Sequence, residues 1–106
     1  MNRTDLINFA EENDIHAQVK AFDHGEEVWL SCDYEEIKGL GENDETIGLW
    51  KKRISLLKCE NNLWEIHFLQ VGKTKKLIGL KVKEFVLKWK HSDRGDFSYA
   101  DEYTNS

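Results

Sequence analysis

The 106-residue sequence contains no proline, only two cysteines and no apolar run long enough to cross a membrane. Without proline, no helix or strand is interrupted by a missing backbone donor. The first residues are polar and lack the apolar core of a secretory signal. Cys32 and Cys59 stand alone in strand-like segments, and a secreted domain of this size usually carries more cysteines. The sequence therefore predicts a cytoplasmic protein with reduced thiols, although the two cysteines could also pair in the fold.

The motifs of common catalytic and nucleotide-binding sites are also missing. There is no nucleophile elbow, no phosphate-binding loop and no glycine-rich dinucleotide turn. The acidic turn around His24 contains acid and base side chains, but an exposed turn provides neither the cleft nor the tuned pKa that a general base needs. We therefore predict that the chain is not an enzyme and has no catalytic residue and no cofactor.

Metal binding is not predicted either. His24 and Cys32 lie eight residues apart, and so do Cys59 and His67. Structural zinc sites instead contain close ligand pairs, separated by about two to four residues. The acidic segment 42–45 lacks the alternating ligand pattern of a calcium loop.

The composition is that of one folded domain. Hydrophobic residues make up 40% of the chain, and four tryptophans and five phenylalanines supply large side chains for a core. Because a chain of about 100 residues is a common size for one domain, residues 1–92 are assigned to a single domain. The segment 93–106 is polar with scattered aromatic residues and is predicted to be a mobile tail.

Apolar periodicity predicts an α+β fold. Residues 2–13 have a helical apolar face, and residues 80–91 repeat apolar side chains at the spacing of a second helix. The segment 33–38 is predicted to form a short helical turn, followed by an irregular loop to residue 45. Strands are predicted over 15–22, 27–32, 53–59, 63–71 and 75–79. We expect an N-terminal helix, an antiparallel sheet of four or five strands, and a C-terminal helix packed on one sheet face.

Charge is divided unevenly along the chain, which has a net charge of −5. Residues 1–45 contain thirteen acids and three bases, whereas residues 46–92 contain eleven bases and three acids. Such a division indicates a charged partner. The two halves could also face one another in the fold and cancel.

The acid-rich first half contains the predicted partner-binding surface. Its carboxylates could form one negative face, which would suit a basic site on another protein and speed association with it. One of the neighbouring aromatic side chains, Trp29, Tyr34 or Trp50, could be the apolar anchor of such an interface. The alternative is a solvated loop without a partner. The predicted partner-binding residues are Glu26, Glu27, Trp29, Asp33, Tyr34, Glu35, Glu36, Glu42, Asp44 and Glu45.

The second half suggests a different partner, nucleic acid. Clustered lysines can contact phosphates, and Trp89 lies near enough in sequence to stack on a base. However, Trp89 fits the apolar stripe of the predicted helix, and the pI of about 5.3 is far below that of a typical nucleic-acid-binding module. Nucleic acid is therefore the less favoured partner. The lysines concerned are Lys73, Lys75, Lys76, Lys81, Lys83, Lys88 and Lys90.

The sequence combines a capped N-terminal helix with the acid-rich segments 26–27, 33–36 and 42–45 in a proline-free chain of 106 residues. In these features it resembles the small immunity proteins of bacterial toxin systems. Small acidic phage inhibitors of host defence proteins are similar in general character. The resemblance implies a protein-binding inhibitor that neutralises a cognate toxin by masking a basic site. It implies a protein partner with a basic surface, no turnover and no cofactor.

Overall fold

The computed structural model describes residues 1–39, 42–68, 72–93 and 95–103 and confirms the predicted α+β class. The two helices lie at the two ends of the chain, and neither described helix is long and apolar enough to span a membrane. The helices are α1 (Arg3–Glu12) and α2 (Gly79–His91), with short 3-10 helices at Glu42–Asp44 and Ser98–Glu102. The strands are β1 (His16–Phe22), β2 (Gly25–Ile37), β3 (Ile47–Lys58), β4 (Leu63–Phe68) and β5 (Lys73–Ile78).

The five strands form one antiparallel sheet in chain order, β1-β2-β3-β4-β5. Its register places apolar residues side by side, because Leu30 pairs with Ile54, and Leu56 pairs with both Val28 and Ile66. Side chains alternate between the two faces of a strand, so these residues share one face. Both helices pack on that face, where they complete a single hydrophobic core.

Helix α1 begins with a capping box in which Asn2 is the N-cap residue. The Asn2 side chain accepts a hydrogen bond from the Asp5 backbone N–H at 2.8 Å, and the Asp5 carboxylate accepts one from the Asn2 N–H at 3.2 Å. These bonds satisfy backbone donors that have no partner within the helix. Leu6 and Ala10 then lie buried one turn apart against the sheet.

The predicted helical turn over 33–38 is wrong, because β2 continues as a strand to Ile37. Tyr34 pairs with Trp50 and Ile37 pairs with Ile47, so the second half of β2 finds its partner in the first half of β3. Asp33 has a φ of 58°, a left-handed conformation that aspartate tolerates better than most residues. None of the described residues between 33 and 51 is buried. We call this projecting two-stranded segment the acidic arm.

The predicted mobile tail is also wrong for its described part. Residues 98–102 form a 3-10 helix, and the Tyr99 and Tyr103 rings lie 5.4 Å and 5.3 Å from the Phe85 ring, measured between centroids. Phe97 packs edge-on against Phe68 at 5.4 Å. Burial raises the pKa of the Tyr99 hydroxyl. This segment therefore belongs to the core, whereas residues 94 and 104–106 of the predicted tail lie outside the described residues.

Both cysteines are free thiols, buried at Cys32 and half-buried at Cys59. Desolvation by burial raises the pKa of the Cys32 thiol to about 11, and the nearby Lys52 only partly opposes this rise. Because the thiolate is the reactive form, Cys32 should be inert in the native protein.

Alkylation should therefore distinguish the two thiols. At about pH 8 we expect iodoacetamide to modify one thiol in the native chain, at Cys59, and both thiols in denaturant. Intact-mass spectrometry counts the adducts, and Cys59→Ser is the control that should leave the native chain unmodified. Fast double modification of the native protein would contradict the burial of Cys32.

Candidate partner-binding surfaces

The acidic arm brings together most of the predicted partner-binding acids. Three lie on the β2 side of the arm and three lie around the 3-10 helix at its tip. Glu35 pairs with Lys51 across the two strands, and both side chains remain partly exposed. An exposed pair of this kind adds little to stability, so it does not explain the concentration of charge. The acids of the arm are Asp33, Glu35, Glu36, Glu42, Asp44 and Glu45, and its bases are Lys38 and Lys51.

Three aromatic rings cluster where the arm leaves the rest of the sheet. Trp50 stacks on His16 with ring centroids 5.0 Å apart and planes inclined by 12°, and it contacts Tyr34 at 5.0 Å and 60°. Tyr34 is 53% exposed and lies directly over Gly48, where a Cβ atom would collide with the tyrosine ring. Half-exposed rings held in place by their neighbours are typical anchors of protein interfaces. Tyr34 and Trp50 were predicted from the sequence, whereas His16 was missed because its ring contact is not local.

Three other predicted residues, Glu26, Glu27 and Trp29, lie at the opposite end of β2. Glu26 forms an ion pair with Arg3 of α1. At about 3.3 Å per residue, the nine residue-to-residue steps from Glu27 to Glu36 span about 30 Å of strand. The expected single negative face is therefore wrong, because the structure divides the predicted acids between the arm and a separate site on the sheet.

That second site lies on the sheet face opposite the helices. Glu27 is only 8% exposed, and its two carboxylate oxygens lie 2.5 Å from His24 Nε2 and 3.2 Å from the Trp29 indole nitrogen. On β4, His67 Nε2 lies 3.0 Å from a Glu65 carboxylate oxygen. These groups border a groove of about 450 Å³. The groove is lined by His24, Glu27, Trp29, Ser55, Leu57, Glu65 and His67.

The candidate zinc ligands His24, Cys32, Cys59 and His67 do not come together in one site. Cys32 is buried on the core face, whereas His24 and His67 border the groove on the other face. No group of three or more histidine, cysteine or acidic side chains suited to a metal ion occurs among the described residues.

Lysines of the second half are divided between internal contacts and the sheet edge. Lys88 pairs with Glu84 and Glu102, and the Lys90 ammonium donates to the Asn13 carbonyl at the end of α1. The β5 lysines lie on an edge strand, where lysine discourages pairing with another chain. This division weakens the nucleic-acid hypothesis, because fewer lysines remain for one phosphate-binding surface. The β5 lysines are Lys73, Lys75 and Lys76.

The chain matches no protein-family model, and it has no match among curated proteins or solved structures. Function is therefore inferred from the acidic arm, the aromatic cluster and the groove.

Proposed function

We propose that this chain is a protein-binding inhibitor, an immunity protein that masks a basic site on a cognate bacterial toxin with its acidic arm. The observation that carries the proposal is the arm itself, a projecting pair of strands without a buried residue in its described part. It bears six acids and two lysines. A phage-encoded inhibitor of a host defence protein would use the same surface in the same way.

The ion pairs of the described residues neutralise little of the charge of the arm. Among the ion pairs of the described residues, the contact between Glu35 and Lys51 joins the acidic first half of the chain to the basic second half. The other pairs join groups within one half or connect α2 to the C-terminal segment. The acidic arm therefore keeps a negative field that would attract a basic protein and orient it during encounter.

The aromatic cluster supports an interface at the same place. Charge alone steers association, but most of the binding energy in protein interfaces comes from a few well-packed anchors, among which tyrosine and tryptophan are enriched. Tyr34 and Trp50 lie at the base of the arm and are already held by ring contacts with each other and with His16. Little side-chain freedom would be lost when a partner packs on them.

Charge reversal on the arm tests the proposal. In the variant Glu35→Lys, Glu36→Lys, Glu42→Lys and Asp44→Lys, we expect affinity for the partner to fall at least about tenfold, because each complementary contact becomes repulsive. The fold should be retained, since exposed charges contribute little to stability. The partner is the protein encoded beside the gene or recovered by affinity capture, and titration calorimetry gives the affinity.

A matched variant reverses four exposed acids outside the arm and thus makes the same change in net charge. It carries Lys in place of Glu11, Glu12, Glu60 and Asp93. We expect it to bind with nearly wild-type affinity. If both variants bind as tightly as the wild type, the arm is a solvated loop and the proposal fails.

A further inference from the structure

Glu27 on the open sheet face is a buried acid that forms no ion pair with a lysine or arginine among the described residues. Carboxylates are rarely buried to this degree unless they are paired, because removing the charge from water is costly. The contacts of the Glu27 carboxylate come instead from an imidazole, His24, and an indole N–H, Trp29. Both contacts hold the carboxylate in place at the border of the groove.

A second carboxylate faces the same groove from β4. Leu57 pairs with Glu27 on one side and with Glu65 on the other, so the two acids flank Leu57 on the same sheet face. Neighbouring strands lie about 4.8 Å apart, which places the two backbones about 10 Å from one another. Carboxylates at this spacing can approach one cationic group from its two sides.

The indole of Trp29 already attracts cations from the chain itself. The Lys20 ammonium lies 3.7 Å from the Trp29 ring centroid, and the Arg53 guanidinium carbon lies 5.8 Å from it. Such contacts follow from the negative face of the aromatic ring. The groove thus combines two carboxylates with an aromatic ring, the set of groups that recognises organic cations.

We infer that the groove is a second binding site, which accepts the guanidinium group of an arginine side chain from a protein partner. A guanidinium is planar, presents several N–H donors to carboxylates and stacks on aromatic rings, whereas an ammonium offers a single compact charge. The site does not depend on the acidic arm. A guanidinium bound there would give Glu27 a cationic partner in addition to the imidazole of His24.

The test uses N-acetyl-arginine amide as the probe and N-acetyl-citrulline amide as its uncharged analogue of nearly the same shape. The indole N–H signal of Trp29, assigned by its loss in Trp29→Phe, reports binding in a ¹H–¹⁵N spectrum. We expect the arginine probe to shift this signal with a Kd of about 1–10 mM, as suits a ligand of this size. We expect the citrulline probe to leave it in place.

Variants that replace one carboxylate with a neutral amide show which carboxylates bind the arginine probe. Glu65→Gln should weaken the arginine probe about tenfold, since a charge-assisted hydrogen bond is replaced by a neutral one. Glu27→Gln should have a similar effect, and if that variant does not fold, Glu65→Gln alone decides. Glu36→Gln on the acidic arm is the matched control and should bind like the wild type.

Several results would overturn the inference. One is a Trp29 signal that does not shift at about 50 mM arginine probe, a concentration well above the expected Kd. Another is a citrulline probe that binds as tightly as the arginine probe. A third is wild-type affinity for the arginine probe in the glutamine variants at the groove. A lysine amide probe that binds as tightly as the arginine probe would overturn the assignment to guanidinium. No partner protein enters this experiment, so its failure would leave the acidic-arm proposal standing, and failure of the arm would leave the groove.

Discussion

Replacing Lys52 with methionine should lower the free energy of unfolding by about 3 kcal/mol, because three carbonyls at the C-terminus of α2 would lose the ammonium as a hydrogen-bond donor. Lys52 is 4% exposed, and its ammonium donates to the carbonyls of Trp89, Lys90 and Ser92, the last two at 2.9 Å and 2.7 Å. The last carbonyls of a helix have no partner within it and attract positive charge. A lysine of the central sheet thus caps the C-terminus of α2 and joins the helix to β3.

Urea denaturation followed by circular dichroism measures this effect. The control is Lys58→Met, an exposed lysine near the end of the same strand, which should change the free energy of unfolding by about 0.5 kcal/mol or less. If the Lys52 variant were as stable as the control, the three carbonyl contacts would be of no consequence for the fold.

Replacing Tyr99 with alanine should cost about 3 kcal/mol, in the range found when a buried aromatic ring is truncated. The Tyr99 ring contacts Phe85 at 5.4 Å and Phe68 at 6.3 Å, so its loss opens the aromatic end of the core to water. The same change would cost almost nothing if the C-terminal segment were a mobile tail.

Tyr99→Phe separates the ring from the hydroxyl. It keeps the ring contacts and removes a buried hydroxyl that has no hydrogen-bond partner among the described residues, so the stability should stay within about 1 kcal/mol of the wild type. Thermal unfolding of the three proteins checks both expectations. A Tyr99→Ala protein that unfolds at the same temperature as the wild type would show that residues 98–102 do not contribute to the core in solution.

Local sequence patterns predicted the parts of the fold that depend on local periodicity. The spacing of Val82, Phe85, Val86 and Trp89 predicts a buried helix face, and all four are buried. The alternation of Trp64, Ile66 and Phe68 predicts a half-buried strand, and these three residues form the inner face of β4. In each case the buried face is visible within one segment of sequence.

Features that depend on distant residues were missed. The segment 33–38 is polar and acid-rich, and it becomes a strand because residues 47–51 supply its hydrogen-bonding partner. The division of the predicted acids between the arm and the groove also follows from the length of β2. One missed feature had a local signal: Lys52 falls in phase with Ile54 and Leu56 on the inner face of β3, where a lysine needs a buried partner.

The association rate of the chain with its partner, measured against ionic strength, tests the acidic-arm proposal most directly. We predict that the wild-type rate falls steeply as salt shortens the Debye length from about 30 Å at 0.01 M to about 8 Å at 0.15 M. The variant with lysine at positions 35, 36, 42 and 44 should associate at least about tenfold more slowly at low salt, and the control variant should follow the wild type. Equal rates with the same salt dependence in all three proteins would contradict the proposal.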